Sequence, residues 1–297
     1  MMEIEDYFSG DVKNALLETK SKCDIEEIRL RIEKPVLIKA AMQICYLKDK
    51  KDKKIIFTKA ECENLIDRIS GYSLYAYSEE VKNGFITVQG GHRIGICGQF
   101  VVKNGEIINI KNISSLNFRI ANQHIGMADE LCKRLYLEKN NLFNILILSP
   151  PGCGKTSLLR DMIRIISNKL ISVSVIDERG EIAACYQGIP QNDVGVCTDI
   201  FDLAPKNKGV LIALKSMSPD LIALDEINDK NDFDSLLYST ASGAKIICTA
   251  HSDEGLIKKE YLSRSIFERF ITLNYSREYR VYDETGSFMF GGVLCRN

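Results

Sequence analysis

The sequence predicts an α/β protein of two domains, a smaller mixed α/β domain over residues 1–121 and a larger one over 122–297 built on a mostly parallel sheet. Three observations carry this expectation. The chain has 297 residues, room for two ordinary domains. Up to about residue 120, short segments alternate polar and apolar side chains, the period of half-buried strands. Beyond it, longer helical patterns separate short, continuous apolar runs, as expected of strands covered on both faces and joined by helical crossovers.

Taken in order, Glu27–Ile32 (EIRLRI) alternates and reads as the first strand, with Val36–Ala41 and Ile55–Phe57 as strands on either side of a lysine-rich turn. Thr58 is placed to cap a helix from Lys59 to about Ser70, with Glu61 at the third helical position as in a capping box. Phe85–Val88 and His92–Val102 form a hairpin through Gly90-Gly91, and Leu116–Ile120 alternates again. The apolar runs of the second domain are Phe143–Leu148, Ile171–Ile176, Leu221–Leu224 and Lys245–Thr249.

Composition narrows the setting. Thirty-nine basic and 40 acidic residues nearly cancel, so bulk charge predicts no nucleic-acid or membrane partner. The most basic stretch, Lys48–Lys54, reads as a solvated turn between strands. None of the ten cysteines is spaced CxxC, there are only three histidines, and no secretory segment opens the sequence. Several cysteines sit in apolar runs, where the free thiol behaves as a small hydrophobe. A reducing cytoplasm is the expected compartment. No apolar stretch approaches the ~20 residues that cross a bilayer, so any membrane role is expected to run through partners.

The chemistry concentrates where FNILIL runs into Ser149-Pro150-Pro151-Gly152-Cys153-Gly154-Lys155-Thr156-Ser157 and then a helix carrying Leu158, Leu159, Met162, Ile163 and Ile166 at core-facing spacing. Strand, glycine-rich loop and helix make a phosphate-binding loop, or P-loop. Gly152 and Gly154 let backbone N–H groups converge on phosphates at a helix N-terminus. Lys155 is expected on the β and γ phosphates of ATP and the Thr156 hydroxyl on Mg²⁺. One position departs from the usual pattern, because Ser149 stands where the first glycine is common.

Such a loop needs an acidic partner at the end of a neighbouring strand. Leu221–Leu224 runs directly into Asp225 and Glu226, roughly 70 residues beyond the loop. Asp225 is assigned the magnesium shell, and Glu226 the orientation or deprotonation of the attacking water. Asp177, Glu178 and Glu181 follow the strand after the P-loop helix, and Thr249-Ala250-His251 ends the strand after the Asp-Glu pair.

This four-motif set resembles the hexameric secretion and pilus motor ATPases, whose RecA-like domains carry an acidic box and a histidine box besides the two nucleotide motifs. The run Asp177–Gly209 with Ser216–Ile227, and EIRLRIEKPV, GGHRIGICGQFV and LNFRIA, resemble the stage III sporulation protein AA family over nearly the whole chain. The resemblance implies a homo-hexameric, Mg²⁺-dependent ATPase. It further implies a cytoplasmic site of action, peripheral to a membrane, beneath membrane proteins of a mother cell–forespore channel in endospore formers.

In those motors a glutamate of the acidic box polarises the attacking water. The box there reads Glu-Asp and here Asp177-Glu178, which leaves the assignment open by one residue. Glu178 is favoured, with Glu181 behind it; the competing reading is that one of these carboxylates only pairs with Arg179 or caps a helix. His251 is a candidate sensor of the γ-phosphate. For a cation supplied by a neighbouring subunit, Arg119 is preferred over Arg93, Arg29 and Arg31 because it lies beside the domain boundary. Two other functions compete: an ATP-binding scaffold with little turnover, and a nucleic-acid-translocating ATPase, which the balanced charge disfavours.

Overall fold

Along Ile25–Arg31 (β1), Ile28 and Leu30 are fully buried, while Arg29 and Arg31 lie on the other side of the strand. That alternation sets the first sheet. The computed structural model describes the chain except for residues 1–3, 22, 24, 41–42, 72–83, 137–141, 228–229, 253–255, 264 and 296–297. The described residues divide into two compact units, Met1–Asn122 with Ala184–Gln191, and Gln123–Ala183 with Asn192–Asn297. A single boundary near 121 does not convey the excursion of 184–191, which lies in the midst of the second half of the sequence.

In the first unit a short 3-10 turn, Ile4–Tyr7, leads into the helix α1 (Gly10–Lys20). Lys34–Pro35 (β2) pairs with Ile56–Phe57 (β5), while Leu37–Ala40 (β3) and Gln43–Tyr46 (β4) join the main sheet. Ala41, expected to end the strand at 36–41, lies outside the described residues. The helix α2 (Lys59–Ser70) starts on the expected capping box. The Glu61 N–H donates to Thr58 Oγ1 at 3.3 Å, and the Thr58 N–H to Glu61 Oε2 at 2.7 Å. Phe85–Thr87 (β6), Arg93–Lys103 (β7) and Glu106–Arg119 (β8) complete an antiparallel sheet of order β4-β3-β1-β8-β7-β6. Phe57 and Phe118 lie at the centre of its core. Lys48–Lys54 is a turn, its Asp49 carboxylate accepting from the Lys51 and Lys53 N–H groups.

Within this unit the excursion is tied down by the Gly90 N–H, which donates to Gln191 Oε1 at 2.8 Å. At Gly91, with φ +75°, an added Cβ would stand 2.6 Å from the Ala184 Cβ. That position therefore requires glycine on both conformational and steric grounds.

The second unit contains α3 (Asp129–Tyr136), β9 (Ile145–Ser149), α4 (Lys155–Ser167), β10 (Val173–Asp177), β11 (Thr198–Asp202) and α5 (Lys206–Ser216). It continues with β12 (Leu221–Leu224), α6 (Lys230–Ala241), β13 (Lys245–His251), α7 (Lys259–Ser263), β14 (Arg269–Leu273), β15 (Glu278–Asp283) and β16 (Phe288–Val293). Its sheet runs β11-β10-β12-β13-β9-β14-β15-β16, parallel from β11 to β14 and antiparallel across the last three strands. Every residue of β9, β10 and β12 is buried, which explains their largely apolar sequences. The antiparallel edge was not read from the sequence.

The five apolar positions expected to anchor α4 are all buried, four of them completely. At about 1.5–3 kcal/mol for each fully buried large side chain, this face fixes the helix and the loop at its N-terminus. Register then gathers the functional segments. Ile176 lies opposite Leu224, Leu224 opposite Cys248, and His251 opposite Ser149. Four strands therefore end at one edge, where ligands of open parallel sheets bind.

Candidate active site

The loop after β9 is shaped around two glycines. Gly152 and Gly154 have φ of +79° and +95°, and an added Cβ at either would meet nothing within 4 Å. Conformation, rather than crowding, requires glycine here, and the space in front of the backbone stays open. Gly154 caps α4, whose first residue is Lys155. Ser149, standing in for the usual first glycine, is buried at the end of β9, where its hydroxyl donates to the Pro150 carbonyl at 2.9 Å. Serine satisfies its own polarity at that position. Pro150 is buried and Pro151 exposed. Burial pushes the Cys153 thiol above its ordinary pKa even with Lys155 nearby, so it is no thiolate nucleophile. Ser157 is half-buried in the first turn of α4.

Around Lys155 the structure assembles a tight polar cluster. Its ammonium, 8% exposed, lies 3.1 Å from Glu226 Oε1 and 3.4 Å from His251 Nε2. His251 Nε2 is itself 3.1 Å from the same Glu226 oxygen, and the Arg179 guanidinium donates to Oε2 of that carboxylate. Burial alone would raise the Glu226 pKa. The hydrogen bond and charge of Lys155, then Arg179 and His251, overcome this and hold it below the ordinary glutamate value.

Glu226 adopts φ +53°, a left-handed conformation costing a non-glycine residue on the order of 1–3 kcal/mol. Both of its peptide groups are held. Its N–H donates to Thr249 Oγ1 at 2.8 Å, and its carbonyl accepts from Lys206 Nζ at 2.7 Å. Asp225, its neighbour, accepts from the Thr156 hydroxyl at 2.7 Å and from the Thr249 hydroxyl.

The acidic box divides by role. Asp177, 1% exposed, accepts from the Glu181, Ile182 and Ala183 N–H groups at 2.8, 3.0 and 2.9 Å. Arg160 closes the same loop by donating to the Glu181 and Ile182 carbonyls at 2.7 and 2.6 Å. Asp177 is thus committed to backbone capping. Glu178 is exposed and lies 3.2 Å from Lys206. Arg179 pairs with Glu226. Arg119 belongs to the first unit, where it is exposed at the end of β8 opposite Glu27 of β1 and Arg93 of β7.

Three participants escape a motif reading. Thr249 braces the Asp225 carboxylate and the Glu226 N–H. Arg160 fixes the loop after β10. Lys206, 8% exposed, joins Glu178, the Glu226 carbonyl and Asp232, the last at 3.6 Å. Thr249 lies within a run singled out for its histidine; Lys206 and Arg160 carry no local signal, since only the fold brings their partners to them.

The donor set fits a polyphosphate with magnesium. The glycine cradle is open, a buried ammonium stands at its end, and a hydroxyl and a carboxylate suited to a hard cation lie side by side. Among the described residues no group of three or more His, Cys, Asp and Glu side chains could cage a metal alone.

Comparison with known proteins bears on the family and the fold. A family model described as sporulation stage III, protein AA, matches residues 1–289. Stage III sporulation protein AA of Bacillus subtilis (strain 168) is 36% identical over 306 residues, covering 97% of each chain. Among solved structures, the pilus retraction motor PilT with bound ADP matches with a TM-score of 0.58 at 16% identity, over 91% of this chain and 78% of that one. The Legionella pneumophila ATPase DotB matches with a TM-score of 0.53, also at 16% identity, over 92% and 81%. At such identities these two likenesses establish a shared fold. The family match and the Bacillus relative establish more: the chain belongs to the stage III sporulation protein AA family.

Proposed function

We propose that this chain is a Mg²⁺-dependent ATPase of the secretion-motor type, acting as a homo-hexamer beneath a membrane. The observation that carries the reading is the meeting of the P-loop with the end of β12, where Lys155 reaches Glu226 and Thr156 reaches Asp225. In this reading the Gly152–Gly154 backbone and Lys155 bind the ATP phosphates, and Thr156 and Asp225 hold the metal shell. Magnesium, when bound with the nucleotide, supplies charge neutralisation on the β and γ phosphates.

Glu226, released from Lys155 as phosphate arrives, accepts a proton from the attacking water or orients it. Glu178 on its lysine support is the second candidate for that role. His251 reports the presence of the γ-phosphate, and Arg119 approaches the site of a neighbouring subunit. The family's name supports a setting in sporulation, and the fold shared with DotB and PilT supports a motor. Together they favour work delivered to membrane proteins of a channel between mother cell and forespore, from a cytoplasmic, peripheral position. Among the described residues no helix is long and apolar enough to cross a membrane. Purified protein given Mg-ATP should release phosphate, and chelation of the metal should stop it. Phosphate release unaffected by chelation would overturn the magnesium-dependent mechanism.

A further inference from the structure

One carboxylate, that of Glu226, collects Lys155, Arg179 and His251 at the mouth of the phosphate loop. These are the donor types that ordinarily surround a terminal phosphate, and one oxygen of Glu226 is within 3.1 Å of both Lys155 and His251. Lys155 and Arg179 share one carboxylate charge there. A terminal phosphate carries more charge and more acceptor oxygens, so it is the better partner for both.

The two cations are held differently. Lys155 and Glu226 are 8% and 12% exposed, whereas the Arg179 side chain is 60% exposed. An ion pair with so exposed a partner contributes little and exchanges readily. The base of Arg179 is nevertheless fixed. It occupies the turn between Asp177 and Gly180, closed by the Gly180 N–H donating to the Asp177 carbonyl at 3.1 Å and by the three N–H groups that Asp177 caps. A closed turn thus presents an exposed guanidinium on the same carboxylate as the Lys155 ammonium.

We propose that Arg179 is a catalytic residue acting in cis: Glu226 holds it until ATP binds, and its guanidinium then transfers to the γ-phosphate and stabilises the charge that develops there. The proposal deepens the ATPase reading and rests on it. It assigns the cis cation to a residue distinct from any arginine contributed by another subunit.

The test compares wild type, Arg179→Ala and Arg179→Lys in binding and in turnover. Removing one charge-stabilising donor should slow phosphate release on the order of 10²-fold or more. Binding of a non-hydrolysable ATP analogue should weaken at least tenfold, while ADP binding stays within twofold of wild type and serves as the control for folding. Arg179→Lys should recover part of the analogue's affinity. If Arg179→Ala binds the analogue and ADP both as wild type does, the proposal is overturned, whether or not the wild type hydrolyses ATP. Wild-type protein that binds both nucleotides but releases no phosphate overturns the ATPase reading instead. In that case the analogue-to-ADP ratio still decides whether Arg179 contacts the terminal phosphate.

Discussion

Glu226→Gln is the perturbation whose consequences follow most directly from the geometry. Glutamine keeps the shape and an acceptor oxygen but removes the charge that holds Lys155. A hydrogen bond between charged partners contributes about 1.5–3 kcal/mol, against about 0.5–1.5 kcal/mol for a neutral one, so the Lys155 contact loses about 1–1.5 kcal/mol. The Arg179 contact, screened by solvent, adds at most about 0.5 kcal/mol. ATP must displace these contacts to engage Lys155. Weakening them by about 1–2 kcal/mol should therefore tighten binding of a non-hydrolysable analogue by roughly 5- to 30-fold. Phosphate release should fall by about 10²–10⁴-fold, because an amide cannot take the proton of the attacking water. Isothermal titration calorimetry and a phosphate-release assay read the two effects. Unchanged affinity, or turnover at the wild-type rate, would refute the idea that Glu226 competes with phosphate and serves as base. The folded-state pKa of Glu226 is depressed, so its contribution to stability is present above the ordinary value of 4.5 and is lost as pH falls beneath it. Glu226→Gln should flatten that acid limb of the stability curve.

Further outcomes separate structural from chemical roles. Asp177→Asn leaves at least one of three capped N–H groups unsatisfied and should destabilise the protein by about 1–3 kcal/mol in chemical denaturation. Glu178→Gln should leave stability unchanged and lower turnover only. Thr156→Ala and Asp225→Asn should each weaken the magnesium dependence of nucleotide binding, measured as the ratio of affinities with Mg²⁺ and with EDTA. Burial, followed by the nearby Tyr186, pushes the Tyr7 hydroxyl up to about 12. Because its folded pKa exceeds the ordinary 10, stability is full below pH 10 and declines as pH rises from 10 towards 12. Tyr7→Phe should remove that decline, monitored by far-UV circular dichroism.

The residues that declared themselves in sequence are those whose role is local. Thr58 and Glu61 cap a helix three positions apart, and Gly152 and Gly154 shape a loop between adjacent elements. The LIAL run announced a buried strand ending in carboxylates. What stayed hidden depends on tertiary placement. The stretch 106–115 of β8 breaks strict alternation at Ile107-Ile108 and Lys111-Asn112, yet it pairs with β7 and buries Ile110 in the core. The excursion of 184–191 into the first unit is written only in distant contacts such as Gly90 with Gln191. In the site itself, alternation along β10 could not choose between Asp177 and Glu178. The three N–H groups that converge on Asp177 give that carboxylate a structural role that alternation does not reveal. Lys206 reads as one lysine among many until α5 packs it beneath Glu178 and Glu226.

The central claim is that the P-loop and the end of β12 form one hydrolytic centre around Lys155. Its most direct test is the initial rate of phosphate release from Mg-ATP by wild-type protein and by Lys155→Ala, prepared and assayed side by side. The account predicts steady release by the wild type and none above background in the variant. Equal rates from the two proteins would contradict it.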